Sequence, residues 1–196
     1  GVVDRSVERM LQGLRPHCDH ILAVSNGPLT EESQEKLRGL CDSLLVRPIS
    51  GFDVGAYRAA LERVGYDRLG DYDEVLLANS TMLGPVGTFD ETFVRMDALD
   101  LDFWGMTDHP AVTPHPYVGR GTMREHVQTY WIAFRKQLVR DDAFRAFWEA
   151  LPTPSTYNQV VTHFETVLTA HFADLGFTWA VAFPSSDFGV ANTTME

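Results

Sequence analysis

Three groups of polar residues stand where they could do chemistry. The first is GFDVG at residues 51–55, an acid held between two glycines. The second is NST at 79–81 and the third is TDH at 107–109, and each follows an apolar run. Ligands of an open α/β sheet sit at the carboxyl ends of its parallel strands. If the apolar runs are neighbouring strands, the three groups converge on one pocket.

Each residue in these groups also has a structural interpretation. Asp53 can cap the helix that begins near residue 54. Asn79 and Ser80 can close a turn, and Asp108 can cap a loop. Glu165, in the middle of a later helical stretch, can be a solvated or salt-bridged acid. Taken one at a time the structural interpretations are favoured, and only their convergence favours a site.

Alternating strands and helices must position these groups. The apolar runs at 20–26, 43–48 and 72–80 read as strands, and the segments between them read as helices, each with a capping residue or a face of small residues. Strands separated by helices of about 10–15 residues are typical of parallel βαβ units. We therefore expect a mostly parallel central sheet flanked by helices, with the strand that ends at Asn79 at its centre.

The second half of the chain has a different pattern of predicted elements. It predicts strands at 101–108 and 178–183, an aromatic-rich strand that begins near 127, and a long amphipathic helix over 157–177. The segment 109–125 is rich in proline and glycine and is predicted to be a mobile loop. We expect this loop to act as a lid or to contact an acceptor, through His109, Arg120, Arg124, His126 and Gln128, although buried histidines are more often structural.

Composition limits the classes of partner. The 196 residues carry a formal charge of −11, with sixteen scattered Lys and Arg, which argues against a nucleic-acid surface. Cys18 and Cys41 form no metal-binding spacing, and no apolar run approaches a membrane span of about 18 residues. We expect a cytoplasmic chain, placed at the inner face of a membrane only through other parts of a longer protein. Because the sequence opens directly on a helix, a preceding strand is also expected to be absent.

Five sequence blocks, taken together, resemble one protein family. They are GFDVG, YDEVLLANSTMLGP, DFWGMTD, HVQTYWIAFRKQL followed by AFRAFWEAL, and FETVLTAHFADLGF. In this order they resemble the rhamnan synthesis protein F family of bacterial glycosyltransferases, over roughly residues 40–180.

The resemblance implies a single domain of the Rossmann-like, A-type glycosyltransferase fold. Residues 1–90 would hold a nucleotide-sugar and residues 91–196 would shape the acceptor site. The implied reaction is inverting transfer of a sugar, often rhamnose from dTDP-rhamnose, to a cell-surface polysaccharide or a lipid-linked glycan. Asp53, Asn79 and Ser80 would contact the donor, and Gly51 and Gly55 would give it room.

One departure from related enzymes concerns the metal. Many A-type enzymes end the central strand with Asp-x-Asp, which holds a divalent cation on the diphosphate. Here the strand ends in Asn79-Ser80-Thr81. Because a hard cation needs oxygen ligands that usually include a carboxylate, dependence on Mg²⁺ or Mn²⁺ stays open.

The implied reaction needs a base and a charge partner. The acceptor hydroxyl must lose its proton, and we expect Glu165 to take it, with Asp108 as the reserve candidate. The leaving diphosphate needs positive charge or N–H donors, for which Arg120 and Arg124 are candidates. The alternative is a sugar- or nucleotide-binding module that derives from a glycosyltransferase and has lost catalysis.

Overall fold

The computed structural model describes residues 1–189 and 193–194. Nine α-helices and nine strands occupy the described residues. The helices are α1 (Arg5–Leu14), α2 (Glu31–Leu40), α3 (Phe52–Val64), α4 (Tyr66–Leu69), α5 (Asp90–Asp97), α6 (Lys136–Arg140), α7 (Asp142–Ala150), α8 (Tyr157–Val160) and α9 (Thr166–Asp174). The strands are β1 (Leu22–Asn26), β2 (Ser43–Arg47), β3 (Glu74–Ala78), β4 (Phe103–His109), β5 (Val112–Thr113), β6 (His126–Val127), β7 (Trp131–Arg135), β8 (Trp179–Phe183) and β9 (Thr193–Thr194).

Local sequence signals set most of these elements. Asp4 caps α1 by accepting hydrogen bonds from the backbone N–H groups of Ser6 and Val7, and Thr30 caps α2 through the N–H of Ser33. The strands expected at 20–26, 43–48, 72–80, 101–108 and 178–183 are all present, shortened by a few residues. The helix expected over 157–177 is present but broken by a π-helical segment, Val161–Glu165, between α8 and α9.

The described strands form a mixed sheet and two separate parallel pairs, β1 with β2 and β5 with β9. In the mixed sheet β7 lies between β3 and β4 and runs antiparallel to both, while β8 runs parallel to β4 along its other edge. The two-residue β6 pairs with the far end of β4. β1 and β2 pair with each other in parallel and form their own two-stranded sheet among the described residues.

The expected mostly parallel, Rossmann-like A-type sheet is therefore wrong for this chain. In the part of the chain that the structure describes, β3, expected at the centre, pairs with β7 alone, and β1 and β3 do not belong to one sheet. The prediction that the apolar runs are strands is confirmed, because an apolar run indicates a buried element. Strand direction depends instead on how the chain returns from one strand to the next. Here the chain between β3 and β7, residues 79–130, returns in such a way that β7 runs antiparallel to both β3 and β4.

The mixed sheet is buried on both faces. Along β7, Trp131 and Ala133 pack into one hydrophobic cluster and Ile132 and Phe134 into the other, following the two-residue period of a strand. The cluster around Phe134 is covered by α3, α7 and α9, and the other by α1, α2 and α5. None of the helices in the described part of the chain is long and apolar enough to cross a membrane.

The segment 109–125 begins and ends in ordered backbone contacts. The backbone groups of Val112 and Met123 exchange two hydrogen bonds, and both side chains are buried. Its tip is exposed around Tyr117 and Arg120. That this segment acts as a lid stays a prediction, and it concerns the exposed tip of the segment.

Candidate functional site

The carboxyl ends of β1, β2 and β3 meet at the start of α3. Asn26, which ends β1, donates from its side-chain amide to the carbonyl oxygen of Phe52 at 2.7 Å, and Arg47, which ends β2, donates to the side-chain oxygen of Asn26 at 2.6 Å. Asn79, directly after β3, donates from Nδ2 to Oδ2 of Asp53 at 3.0 Å. Two of the three predicted polar groups are thus brought together by side-chain hydrogen bonds, although their strands do not share a sheet.

The two glycines of GFDVG serve the backbone turn and Arg47. Gly51 has φ of +69° and Phe52 has φ of +53°, both in the left-handed region. Such a conformation is strained for a bulky residue such as Phe. A Cβ on Gly55 would lie 3.0 Å from the Ser50 carbonyl oxygen and 3.2 Å from the Arg47 guanidinium. The close neighbour that these glycines admit is the protein's own backbone and Arg47.

Asp53 lies in the first turn of α3 and lines the large cavity described below. Its Oδ1 accepts a hydrogen bond from the backbone N–H of Val54, and its Oδ2 accepts the bond from Asn79. The position before the helix is Gly51, which makes no side-chain cap. Because a carboxylate can accept about four hydrogen bonds, Asp53 keeps capacity for a ligand hydroxyl.

Asn79 also closes the turn after β3. Its Oδ1 accepts from the backbone N–H of Thr81 at 3.0 Å and from the Thr81 hydroxyl at 2.6 Å. The turn interpretation is thus confirmed for the oxygen of Asn79, while its amide nitrogen joins the Asp53 cluster. Ser80 is exposed and lines the cavity.

Glu165 is the last residue of the π-helical segment. π-helical turns are rare and concentrate at functional sites. The Glu165 side chain is only 26% exposed. Its Oε2 accepts a hydrogen bond from the Thr129 hydroxyl at 3.2 Å. Burial raises the pKa of Glu165, the charge of Asp53 raises it further, and the bond from Thr129 lowers it. These are the conditions under which a carboxyl group binds a proton more readily than an exposed glutamate does.

Asp108 stands in a different environment. It is 8% exposed, and its two oxygens accept from the backbone N–H of Ser185 at 2.6 Å and from the Ser185 hydroxyl at 2.7 Å. It does not line the cavity among the described residues. Asp108 is therefore separate from the other two groups, and it holds the turn that follows β8.

The residues predicted to contact an acceptor or to form a lid also divide into those that line the cavity and those that do not. Gln128 lines the cavity and accepts a hydrogen bond from the Thr107 hydroxyl at 2.7 Å. His109 and His126 stack with ring centroids 5.3 Å apart, and neither lines the cavity. Arg124 forms a two-pronged ion pair with Asp174, and Arg120 lies at the exposed tip of the 109–125 segment.

Sequence reasoning missed three aromatic residues of this region. Tyr130 shares a hydrogen bond of 2.7 Å with Thr107, and Tyr157 lines the same cavity. Tyr57 donates to the Thr129 carbonyl oxygen at 3.1 Å and so fixes the residue that holds Glu165. The motif QTYW before an apolar strand was a usable signal for Gln128 and Tyr130. Nothing in the local sequence distinguishes Tyr57 from a core residue.

A cavity of about 1080 Å³ separates β1 from β3. Its inner part is lined by apolar side chains of α1, β1, α3 and β3. Its polar end, near the carboxyl end of β3, carries Asp53, Asn79, Gln128, Tyr130 and Glu165, while charged side chains that include Asp73, Glu74 and Arg135 line the cavity near the start of β3. Ligand pockets combine apolar walls with a few convergent polar groups in this way. Its polar end is the candidate site.

The residues at the polar end do not form a set of metal ligands. Asp53 is the carboxylate that α3 brings to the end of β3, and both of its oxygens already accept hydrogen bonds. The side-chain oxygen of Asn79 is engaged by Thr81. In the part of the chain that the structure describes, no three His, Cys, Asp or Glu side chains are grouped as a metal site requires.

Comparison with known proteins identifies the family. The chain is 22% identical over 175 residues to the uncharacterized protein y4gN of Sinorhizobium fredii, a match that covers 86% of this chain and 44% of that protein. The chain thus spans less than half the length of this relative. No solved structure matches. The sequence model of the family described as Rhamnan synthesis protein F matches residues 21–195. The chain belongs to the rhamnan synthesis protein F family.

Proposed function

We propose that this chain is a glycosyltransferase domain. In this proposal it transfers a sugar, rhamnose first among the candidates, from a nucleoside diphosphate to a hydroxyl of a cell-surface polysaccharide or lipid-linked glycan, on the cytoplasmic side of a membrane. Membership of the rhamnan synthesis family supports the class of reaction. The observation that carries the proposal is Glu165, a largely buried carboxylate with a raised pKa at the polar end of the cavity.

The donor is assigned to the side of the cavity formed by residues 1–90. Asp53 would accept a hydrogen bond from a hydroxyl of the donor, and the Asn79 amide holds Asp53 in place for it. Ser80 would add a second polar contact from the exposed turn. Gly51 and Gly55 act indirectly, because they permit the backbone turn that places Asp53 at the cavity.

The acceptor is assigned to the side formed by residues 91–196. Glu165 would remove the proton of the acceptor hydroxyl, whose oxygen attacks the anomeric carbon on the face opposite the diphosphate. The bond from that carbon to the diphosphate then breaks, and its electron pair leaves with the nucleoside diphosphate. Arg120 would meet the leaving charge only if the loop tip moves towards the cavity, and Arg124 would first have to release Asp174.

A binding module without catalysis is the second candidate. The residues after β3 favour it, because Asn79-Ser80-Thr81 contains no carboxylate and the Asn79 oxygen closes a turn. Both candidates require donor binding at Asp53, and only the enzyme requires a base at Glu165.

Donor binding is tested by calorimetry with nucleotide-sugars such as dTDP-rhamnose, with and without Mn²⁺. We expect Asp53→Ala to weaken binding by about 1.5–3 kcal/mol, the contribution of a hydrogen bond to a charged group, and to change the free energy of unfolding less. Glu149→Ala is the matched control, because it removes an acid that is 52% exposed and does not line the cavity. Unchanged affinity in Asp53→Ala would contradict the assigned donor site.

Donor binding alone does not distinguish the two candidates. Release of the nucleoside diphosphate from a bound nucleotide-sugar, followed over time, does so. Binding without release in the presence of polysaccharide acceptors would favour the binding module.

A further inference from the structure

Glu165 has a second neighbour that lies behind it. His126 in β6 is 1% exposed, and the cavity does not reach it. Its Nε2 lies 4.0 Å from Oε1 of Glu165, while the Thr129 hydroxyl binds the other oxygen, Oε2. Within residues 1–189, Oε1 accepts no hydrogen bond, so its closest polar neighbour on the buried side is this ring nitrogen.

The position of the proton on His126 follows from its other contact. Nδ1 lies 2.8 Å from the carbonyl oxygen of Arg124. Because a carbonyl oxygen can only accept, Nδ1 carries the hydrogen. Burial lowers the pKa of His126, so the ring is neutral near neutral pH, and Nε2 then holds a lone pair. That lone pair faces Glu165.

This lone pair distinguishes the two protonation states of Glu165. Opposite an ionised carboxylate it is repelled, which fits a separation of 4.0 Å, beyond hydrogen-bond range. Opposite a protonated carboxyl group it can accept a hydrogen bond after a movement of about 1 Å. His126 therefore interacts favourably with Glu165 only when Glu165 holds a proton.

We propose that His126 is a positioning residue for Glu165. Once Glu165 has taken the proton of the acceptor hydroxyl, Nε2 of His126 accepts a hydrogen bond from Oε1 of Glu165. This inference rests on the proposed role of Glu165 as the base. In the step, the O–H bond of the acceptor breaks and an O–H bond forms on Glu165. The electron pair of the acceptor oxygen forms the new glycosidic bond, and the bond from the anomeric carbon to the diphosphate breaks, with its electron pair leaving on the nucleoside diphosphate. His126 contacts neither sugar and acts through Glu165.

Other charged or titratable groups surround the pair. Asp53 and Tyr57 of α3, Tyr157 of α8 and His109 of β4 interact electrostatically with Glu165. His109, His115 and Asp108 do so with His126. His109 also stacks on His126 with an angle of 9° between the rings, which fixes the plane of the imidazole. The test must therefore follow His126 and Glu165 individually.

The test uses nitrogen-15 NMR of the histidine rings in the wild-type protein without substrate. We expect His126 to show a protonated Nδ1 and an unprotonated Nε2 at neutral pH. Its Nε2 signal should shift as Glu165 is titrated, and Glu165→Gln should abolish this step while leaving the spectrum of His115 unchanged. A proton on Nε2 at neutral pH, or an Nε2 signal that ignores the titration of Glu165, would overturn the proposal.

A second measurement uses His126→Asn. The Asn amide can donate to the Arg124 carbonyl as Nδ1 does, but it leaves nothing at the place of Nε2. We expect the pKa of Glu165, followed by carbon-13 NMR of its carboxyl group, to fall by about half a unit to one unit, as the loss of one neutral hydrogen bond implies. An unchanged pKa in folded His126→Asn contradicts the inference. These measurements need no sugar, so an absence of transfer activity would count against the proposed function alone.

Discussion

Asp108 and Glu165 are two acids with little exposure to solvent, and they are held in opposite ways. Asp108 accepts two short hydrogen bonds from Ser185, one on each oxygen. Glu165 accepts one longer hydrogen bond from Thr129 and faces the lone pair of His126 on its other side. A buried charge is tolerated when it is fully hydrogen-bonded and is costly when it is not. The first arrangement favours stability, and the second favours a group that gains a proton readily.

The surroundings of the two acids repeat this difference. Near Asp108 the backbone is a regular strand and a 3₁₀ turn, Ser185–Phe188. The cavity end that contains Glu165 has a π-helical segment and the left-handed Phe52. Strain and incomplete hydrogen bonding at one place mark a candidate functional site, since folding alone gives no reason to keep them.

The largest expected loss of stability is that of Asp108→Ala. This change removes both hydrogen bonds and leaves the N–H of Ser185 without its acceptor. We expect the free energy of unfolding to fall by about 2–4 kcal/mol, measured by urea denaturation. Asp108→Asn keeps one acceptor oxygen and should lose less. If Asp108→Ala were as stable as wild type, Asp108 would not be the structural member of the pair.

Glu165→Gln should change stability in the other direction. Burial raises the pKa of Glu165 above its ordinary value of 4.5. The folded state therefore binds the proton more tightly, and this stability is present below that value and lost as the pH rises through the raised pKa. Because Gln does not ionise, we expect Glu165→Gln to melt at a higher temperature than wild type at neutral pH.

This advantage of Glu165→Gln should shrink as the pH falls towards 4.5. Thermal melts over a pH series measure it, with a shift of about 2–4 °C for each kcal/mol in a domain of this size. Glu149→Gln is the control, because Glu149 is 52% exposed and paired with Arg145. A melting temperature that drops in Glu165→Gln at neutral pH would mean that Glu165 is satisfied in the way Asp108 is.

The smallest expected effect is that of Phe52→Gly. A left-handed conformation costs about 1–2 kcal/mol for a residue with a side chain. Gly removes this cost, but its greater flexibility in the unfolded chain lowers the free energy of unfolding by about 0.5–1 kcal/mol. Phe52 is 41% exposed, so the burial lost with its ring offsets part of this gain. We expect a net gain of at most about 1 kcal/mol in the free energy of unfolding. Phe52→Ala removes the same ring but keeps the strain, and an equal gain there would show that strain is not the cause.

The elements could be predicted from the sequence because their signals are local. Asp4 and Thr30 cap their helices as their types predict, and the burial of β7 on both faces follows from its continuous apolar run WIAF. The pairing could not be predicted in this way. Nothing in the composition of β3 indicates that its neighbour is β7, 53 residues later in register at Ala78↔Trp131, and antiparallel. Strand order is decided by long-range packing, which a local sequence pattern does not indicate.

The site was predicted in part for the same reason. Asp53 and Asn79 were grouped because both follow strand-like runs, and they are in fact hydrogen-bonded. Asp108 fits the same rule, yet its oxygens are taken by Ser185, 77 residues away. The helical pattern of 157–177 put Glu165 beside a buried stripe that the structure contains. It gave no sign of the π-helical segment or of His126.

In the proposed reaction Glu165 is the base and Asp108 is not. The most direct measurement compares sugar transfer by wild type, Glu165→Gln and Asp108→Asn, with donor affinity determined on the same preparations. We expect turnover in Glu165→Gln to fall by on the order of a hundredfold or more at unchanged donor affinity, because Gln cannot accept the proton, while folded Asp108→Asn keeps most of its turnover. Transfer by Glu165→Gln at a rate near that of wild type, with loss in Asp108→Asn instead, would contradict the account.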